Sequence, residues 1–91
     1  NKDFTLYPNP NYGNFIFKTN TNGIFNIVIY NHLGKKIKSV HSIQSNSLIQ
    51  LNKKGVYILS ILDSDNNQVT SKKVVISIIF IFQKYKTMSN L

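Results

Sequence analysis

Apolar and polar side chains alternate through most of this chain, and the alternation has a period of two. In the segment IFNIVIYN, residues 24–31, Phe25, Ile27 and Ile29 fall on one face of an extended chain. Val28 and Tyr30 fall on the other, because successive side chains of a strand point to opposite sides. Asn26 shares that second face, which is therefore expected to be the less buried one. Shorter segments at 4–7 and 14–19 predict two strands before it. Segment 36–42 breaks the rhythm: Ile37, Val40 and Ile43 recur every third position, as a bulged or frayed edge strand would. A fifth strand is expected at 47–51, carrying Leu48 and Ile49. Segment 56–62, VYILSIL, is almost continuously apolar and predicts a central strand buried on both faces. A seventh strand is expected at 68–76.

Between these segments lie clusters of turn residues: TNTNG at 19–23, NHLGKK at 31–36, NKKG at 52–55 and DSDNN at 63–67. Gly34 is the residue expected at positive φ in the hairpin between strands three and four. Seven short strands with turn signals and no convincing helix predict an all-β sandwich or barrel. The segment YPNPNYG, residues 7–13, is the stiffest part of the chain. Pro8 and Pro10 remove two backbone donors and push Tyr7 and Asn9 towards extended conformations. Gly13 then supplies a position able to take positive φ, so the segment predicts a stiff exit from an edge strand into a turn. At the other end, VVISIIFIF at 74–82 is too short for a membrane-spanning helix, which needs about 20 residues. Residues 1–77 are expected to form the sandwich, and 78–91 an apolar and then polar tail, poorly ordered.

Composition narrows the picture. A chain of 91 residues makes one domain with a modest core. Ala is absent, and the apolar set of Ile, Val, Leu, Phe and Tyr favours strands. Without Cys there is no disulfide and no thiolate metal site. The net charge of +8 comes from lysine, with no Arg and no Glu. A basic surface attracts nucleic acid or anionic lipid. The basic clusters at 34–38 and 71–73, with Tyr30 or Tyr57 as a stacking platform, would suit a nucleic-acid-binding β-barrel. Arg, the residue best fitted to phosphate and guanine, is missing. Lysines that protect edge strands from pairing with other chains are the preferred explanation, and nucleic acid is not expected as a partner.

The supply of catalytic groups is thin. His32 and His41 fall in a turn and near a strand end, and nothing places either beside Asp3, Asp63 or Asp65, so no enzyme is expected. Asp63, Asp65 and Asn67 match the first odd positions of a calcium loop, but Gln68 stands where Gly is needed and Val74 where a bidentate Glu is needed. A hairpin turn accounts for them without metal, and no cofactor is expected. The chain starts at Asn1 and its only Met is Met88, which suggests the end of a longer protein with any export leader upstream.

Four blocks taken in order carry a resemblance. They are LYPNPNYGNFIF at 6–17, IYNHLGKKI at 29–37, LNKKGVYILSI at 51–61 and SKKVVI at 71–76. Together they resemble the C-terminal sorting domain of the type IX secretion system, type A. That family opens with a Pro-Asn-Pro segment followed by Gly. It continues with a strand ending near Tyr and a Gly-Lys turn, then a Lys-Gly-Val-Tyr strand and a final Lys-Lys-apolar strand. The matching positions are Pro8, Asn9, Pro10 and Gly13, then Tyr30, Gly34 and Lys35, then Gly55, Val56 and Tyr57, then Lys72 and Lys73. The resemblance implies an immunoglobulin-like antiparallel β-sandwich without catalytic activity. It implies an upstream cargo in the same chain, recognition by the outer-membrane translocon and removal by a cell-surface sortase-like protease. The cargo would then be secreted or held at the cell surface, by way of the periplasm. Family members end soon after the Lys-Lys strand, so the extension through 78–91 is expected to hinder export. Prolines and glycines are expected to shape turns, with Tyr30 and Tyr57 filling the core. A carbohydrate-binding or adhesion sandwich is the second reading.

Overall fold

The computed structural model describes residues 3–77; the expectations for 78–91 lie outside it. Seven strands follow one another: β1 (Phe4–Tyr7), β2 (Asn14–Thr19), β3 (Phe25–Asn31), β4 (Lys36–Ile43), β5 (Ser47–Gln50), β6 (Gly55–Leu62) and β7 (Gln68–Ile76). They form two sheets, one of three strands in the order β1-β2-β5 and one of four in the order β4-β3-β6-β7. Every strand pair is antiparallel. The fold is a two-layer β-sandwich rather than a barrel. Among the described residues, no helix is long and apolar enough to cross a membrane.

The core lies between the sheets and follows the period of two. Phe15 and Phe17 of the smaller sheet face Ile27, Ile29, Leu59, Ile61 and Val74 of the larger one, all fully enclosed. Towards one end, the rings of Phe4, Phe17 and Phe25 meet pairwise with centroids 5.3–6.1 Å apart. Edge-on and offset ring pairs of this kind add about 0.5–1.5 kcal/mol each beyond the area they bury.

Two elements show how the layers constrain the strands. β6 lies inside the larger sheet, but its outer face is covered only towards Ser60 and Leu62. Leu59 and Ile61 are enclosed, whereas Val56 and Ile58 are 38% and 37% exposed. The expectation of burial on both faces is therefore corrected: a sheet in a two-layer sandwich has one inner side, and its outer side meets water however apolar the sequence. β4 is an edge strand and it is bulged. Its register against β3 shifts between Phe25 and Ile27 and again between Ile29 and Tyr30. Ser42 takes a φ of 56° at the first shift, and its N–H donates to Oδ1 of Asn26 at 2.9 Å. The irregular spacing of Ile37, Val40 and Ile43 is the sequence trace of these two shifts.

Candidate functional site

The proline-rich segment 8–13 connects β1 to β2, but it does not turn directly between them. Both the Tyr7–Pro8 and Asn9–Pro10 peptide bonds are cis, and the chain passes across to the outer edge of β7 in the other sheet. There the side chain of Asn9 behaves as a peptide group. Its Nδ2 donates to the carbonyl of Lys73 at 2.8 Å, and its Oδ1 accepts from the N–H of Val75 at 3.0 Å. Two residues later the backbone takes over. The Asn11 N–H donates to the Val75 carbonyl at 3.0 Å, and the Ser77 N–H donates to the Asn11 carbonyl at 2.8 Å. Asn11 and Ile76 thereby form a parallel bridge. Asn9 and Asn11 continue the ladder beyond β7, while Pro8 and Pro10 bring no N–H that would need a partner.

Asn11 also holds the segment in shape. It is 3% exposed. Its Nδ2 donates to the Pro8 carbonyl at 2.9 Å and its Oδ1 accepts from the Gly13 N–H at 2.8 Å, so the buried amide is satisfied on both sides. Sequence reasoning passed over this residue, although it lies between two positions that were singled out. Gly13 follows with a φ of +121°, and a Cβ there would come within 2.8 Å of the Leu51 carbonyl oxygen. Only glycine fits both the conformation and the close approach. The Gly13 carbonyl in turn accepts from the Leu51 N–H at 2.8 Å, just past the end of β5.

The second block closes the β3–β4 hairpin. The Gly34 N–H donates to the Asn31 carbonyl and the Asn31 N–H to the Lys35 carbonyl, both at 2.9 Å. Oδ1 of Asn31 accepts from the N–H groups of Leu33 and Lys35, also at 2.9 Å. Gly34 has the expected positive φ, +83°. Asn31 organises the turn and was another residue missed. The β6–β7 turn repeats this arrangement. Asp63 stands for Asn31, Asn66 for Gly34 at a φ of 66°, and Oδ1 of Asp63 accepts from Asp65 and Asn67. The carboxylate considered for calcium is occupied by backbone donors. Among the described residues no group of three or more His, Cys, Asp or Glu side chains gathers.

In the third block Tyr57 is 6% exposed and fills the core as expected. Its hydroxyl donates to the Lys53 carbonyl at 2.8 Å. Gly55 has a φ of +151°, and a Cβ there would make ordinary contact with the Tyr57 ring from 3.5 Å; the glycine serves backbone conformation more than space. Val56, between them, faces water. Tyr30 does not fill the core. It is half-buried on the outer side of the larger sheet, directly opposite Lys36 on one neighbour and Ile58 on the other. The odd-numbered positions of β3 face inwards, so an even-numbered one cannot. In the fourth block Lys72 pairs with Leu59 and Lys73 with Ile58, which sends the two ammonium groups to opposite sides of β7. Lys72 borders the open flank beside Asp3, Phe4 and Thr5.

The register brings the four blocks to one end of the sandwich. In the larger sheet Asn31, Tyr57 and Val74 lie in one row, beside the β7 edge that Asn9 and Asn11 extend. In the smaller sheet the same end carries Asn14 opposite Gln50, next to the Gly13–Leu51 contact. Lys38 bridges the layers there, its Nζ donating to the Gln50 carbonyl at 3.1 Å. Phe4 opposite Thr19 and Asn26 opposite Leu62 mark the far end. Charge follows the same axis in part, since Lys18 beside Thr5 and Lys72 beside Asp3 lie away from the blocks' end. Lys35, Lys36, Lys53, Lys54 and Lys73 belong to the end where the blocks meet, whereas Asp63 and Asp65 turn the chain at the far end, near which Asp3 precedes β1.

A family model for a secretion system C-terminal sorting domain matches residues 5–77. No curated protein matches the chain.

Proposed function

The chain belongs to the secretion system C-terminal sorting domain family, and we propose that it works as a non-catalytic address, read at the end of the sandwich where its four sequence blocks converge. A polypeptide joined ahead of residue 3 leaves from the opposite end, beside Phe4 and Thr19. Cargo and address thus point away from each other, and a folded cargo does not cover the converged blocks. The convergence of the four blocks at the end opposite Phe4 is the observation that carries the proposal. The cargo crosses the outer membrane through the type IX translocon, and a surface protease of sortase-like type then removes the domain. Residues 1–77 suffice as the address.

The test is a fluorescent reporter with its own signal peptide, fused ahead of residues 1–77 or 1–91, in a host that has the type IX system. Reporter in the medium or on the cell surface, and its retention in the periplasm of a strain lacking the translocon, are the expected results. Loss of about the mass of the domain from the exported reporter reports removal. If neither fusion leaves the periplasm while a proven sorting domain does, the proposal is wrong. Weaker export of the 1–91 fusion would assign a hindering role to the tail.

A further inference from the structure

One row of directly paired residues crosses all four strands of the larger sheet on its outer side: Lys36 of β4, Tyr30 of β3, Ile58 of β6 and Lys73 of β7. We propose that this row is the docking surface through which the domain engages an acidic-rimmed, apolar protein surface of the export machinery; the inference rests on the sorting reading above. The row has an apolar centre and a cation at each end. Ile58 is 37% exposed, and beside it Val56 is 38% exposed, paired with a half-buried Val75. An apolar patch left on the outer face of a sheet and rimmed by charge is a usual form for a protein contact. The ammonium groups supply steering and orientation, the aliphatic centre supplies burial.

Charge chooses the sign of the partner. Asp63 and Asp65 lie at the far end with Asp3 near them, while Lys36 and Lys73 end the row and Lys35, Lys53 and Lys54 belong to the same end of the sandwich. Lys18 and Lys72 lie elsewhere, and an acidic surface is favoured at the row over the end that carries Asp63 and Asp65. The chemistry of the centre chooses a protein over a nucleic acid. A nucleic-acid platform stacks bases on several aromatic rings and reads phosphates with guanidinium groups. Here Tyr30 is the one aromatic in the row, its neighbours are aliphatic, and the chain has no Arg. The row also explains the placement of Tyr30 and Lys73, which the core does not use.

The experiment uses the reporter fused to the full 91-residue chain. Lys36→Glu with Lys73→Glu should reduce exported reporter by roughly tenfold or more, since like charges brought together at an interface are strongly disfavoured. Lys36→Arg with Lys73→Arg should retain export. Lys18→Glu, on the smaller sheet, should leave it unchanged. Ile58→Thr keeps a β-branched residue at an exposed strand position and should lower export without moving the melting temperature. It carries the test if the double reversal melts early. Failure of both the unmodified 1–91 fusion and the 1–77 fusion to leave the periplasm overturns the sorting reading itself; if the 1–91 fusion alone fails, the same substitutions are read in the 1–77 fusion. Normal export of a folded reversal variant and of Ile58→Thr overturns the docking surface and leaves the sorting reading standing. The purified chain should bind neither a single-stranded oligonucleotide nor phosphatidylglycerol vesicles at about 0.15 M salt. Binding to either that disappears on charge reversal would overturn the choice of a protein partner.

Discussion

Asn11 shows how much one amide can hold. Replacing it with Ala leaves the Pro8 carbonyl and the Gly13 N–H without their partners in a buried setting, at a cost of about 1–3 kcal/mol. Thermal melts of Asn11→Ala against the parent measure this, and coincident curves would show that water replaces the amide. Gly34 tests backbone conformation alone, since open space surrounds it. Gly34→Val should destabilise more than Gly34→Asn, because Asn tolerates positive φ and a β-branched residue does not. Equal melting temperatures for the two would contradict the φ of +83°. Tyr57 separates packing from hydrogen bonding. Tyr57→Phe removes the bond to Lys53 for about 1 kcal/mol, and Tyr57→Ala also empties a core site for about 3–5 kcal/mol. A small domain has little margin against the second loss. The residues legible in the sequence were those that declare a conformation by themselves: Gly34 by its turn, Tyr57 by its place in an alternating strand. Asn11 and Asn31 were not legible. An Asn in a polar stretch has the same appearance whether it faces water or organises a buried turn, and only the fold supplies its partners.

At the level of elements, the period of two located all seven strands within a residue or so at each end. It also announced the irregularity of β4. What it did not supply was layer count. VYILSIL is apolar on both sides, and in the sequence this is indistinguishable from a strand covered on both sides. In the fold the surplus apolar side chains Val56 and Ile58 lie on the outer surface. The paired turns extend the lesson. NHLGK and DSDNN share one hydrogen-bond pattern despite differing at every position, because Asn and Asp both offer an acceptor oxygen at the first position. Asn66→Gly relieves the Cβ penalty at a φ of 66° but removes the acceptor of the Asn26 Nδ2 hydrogen bond at 3.0 Å, so the net change should stay within about 1 kcal/mol. Asp63→Ala should cost about 1 kcal/mol by freeing the N–H groups of Asp65 and Asn67. Denaturant unfolding of both variants checks the pair, and a calcium-dependent midpoint in the parent would contradict the turn reading.

For the whole molecule, the four sequence blocks are local signals whose meeting is not local. Their strand assignments were legible, but their convergence at one end required the register of both sheets. Cargo position is therefore consequential. A reporter fused behind residue 77 emerges beside Asn11, whose carbonyl accepts the Ser77 N–H. Such a fusion should fold and yet be exported poorly, while the same reporter placed ahead of residue 3 is exported. Equal export of the two would detach recognition from that end of the sandwich.

The hydrogen bonds that the Asn9 side chain gives to the Lys73 carbonyl and accepts from the Val75 N–H join positions 64 and 66 residues apart. Contacts so distant in sequence form late, after the long loop between them has been closed. They also give the address the logic of a checksum. The opening block acquires its final shape only against the closing block, so neither can be displayed alone. A chain that ends before residue 73, through premature termination or proteolysis, keeps the legible letters YPNPNYG but lacks the strand edge on which they are read. On the proposed reading of this end of the domain, recognition requires the entire sandwich, and a fragment that stops before residue 73 cannot form the bonds from which the opening block takes its shape.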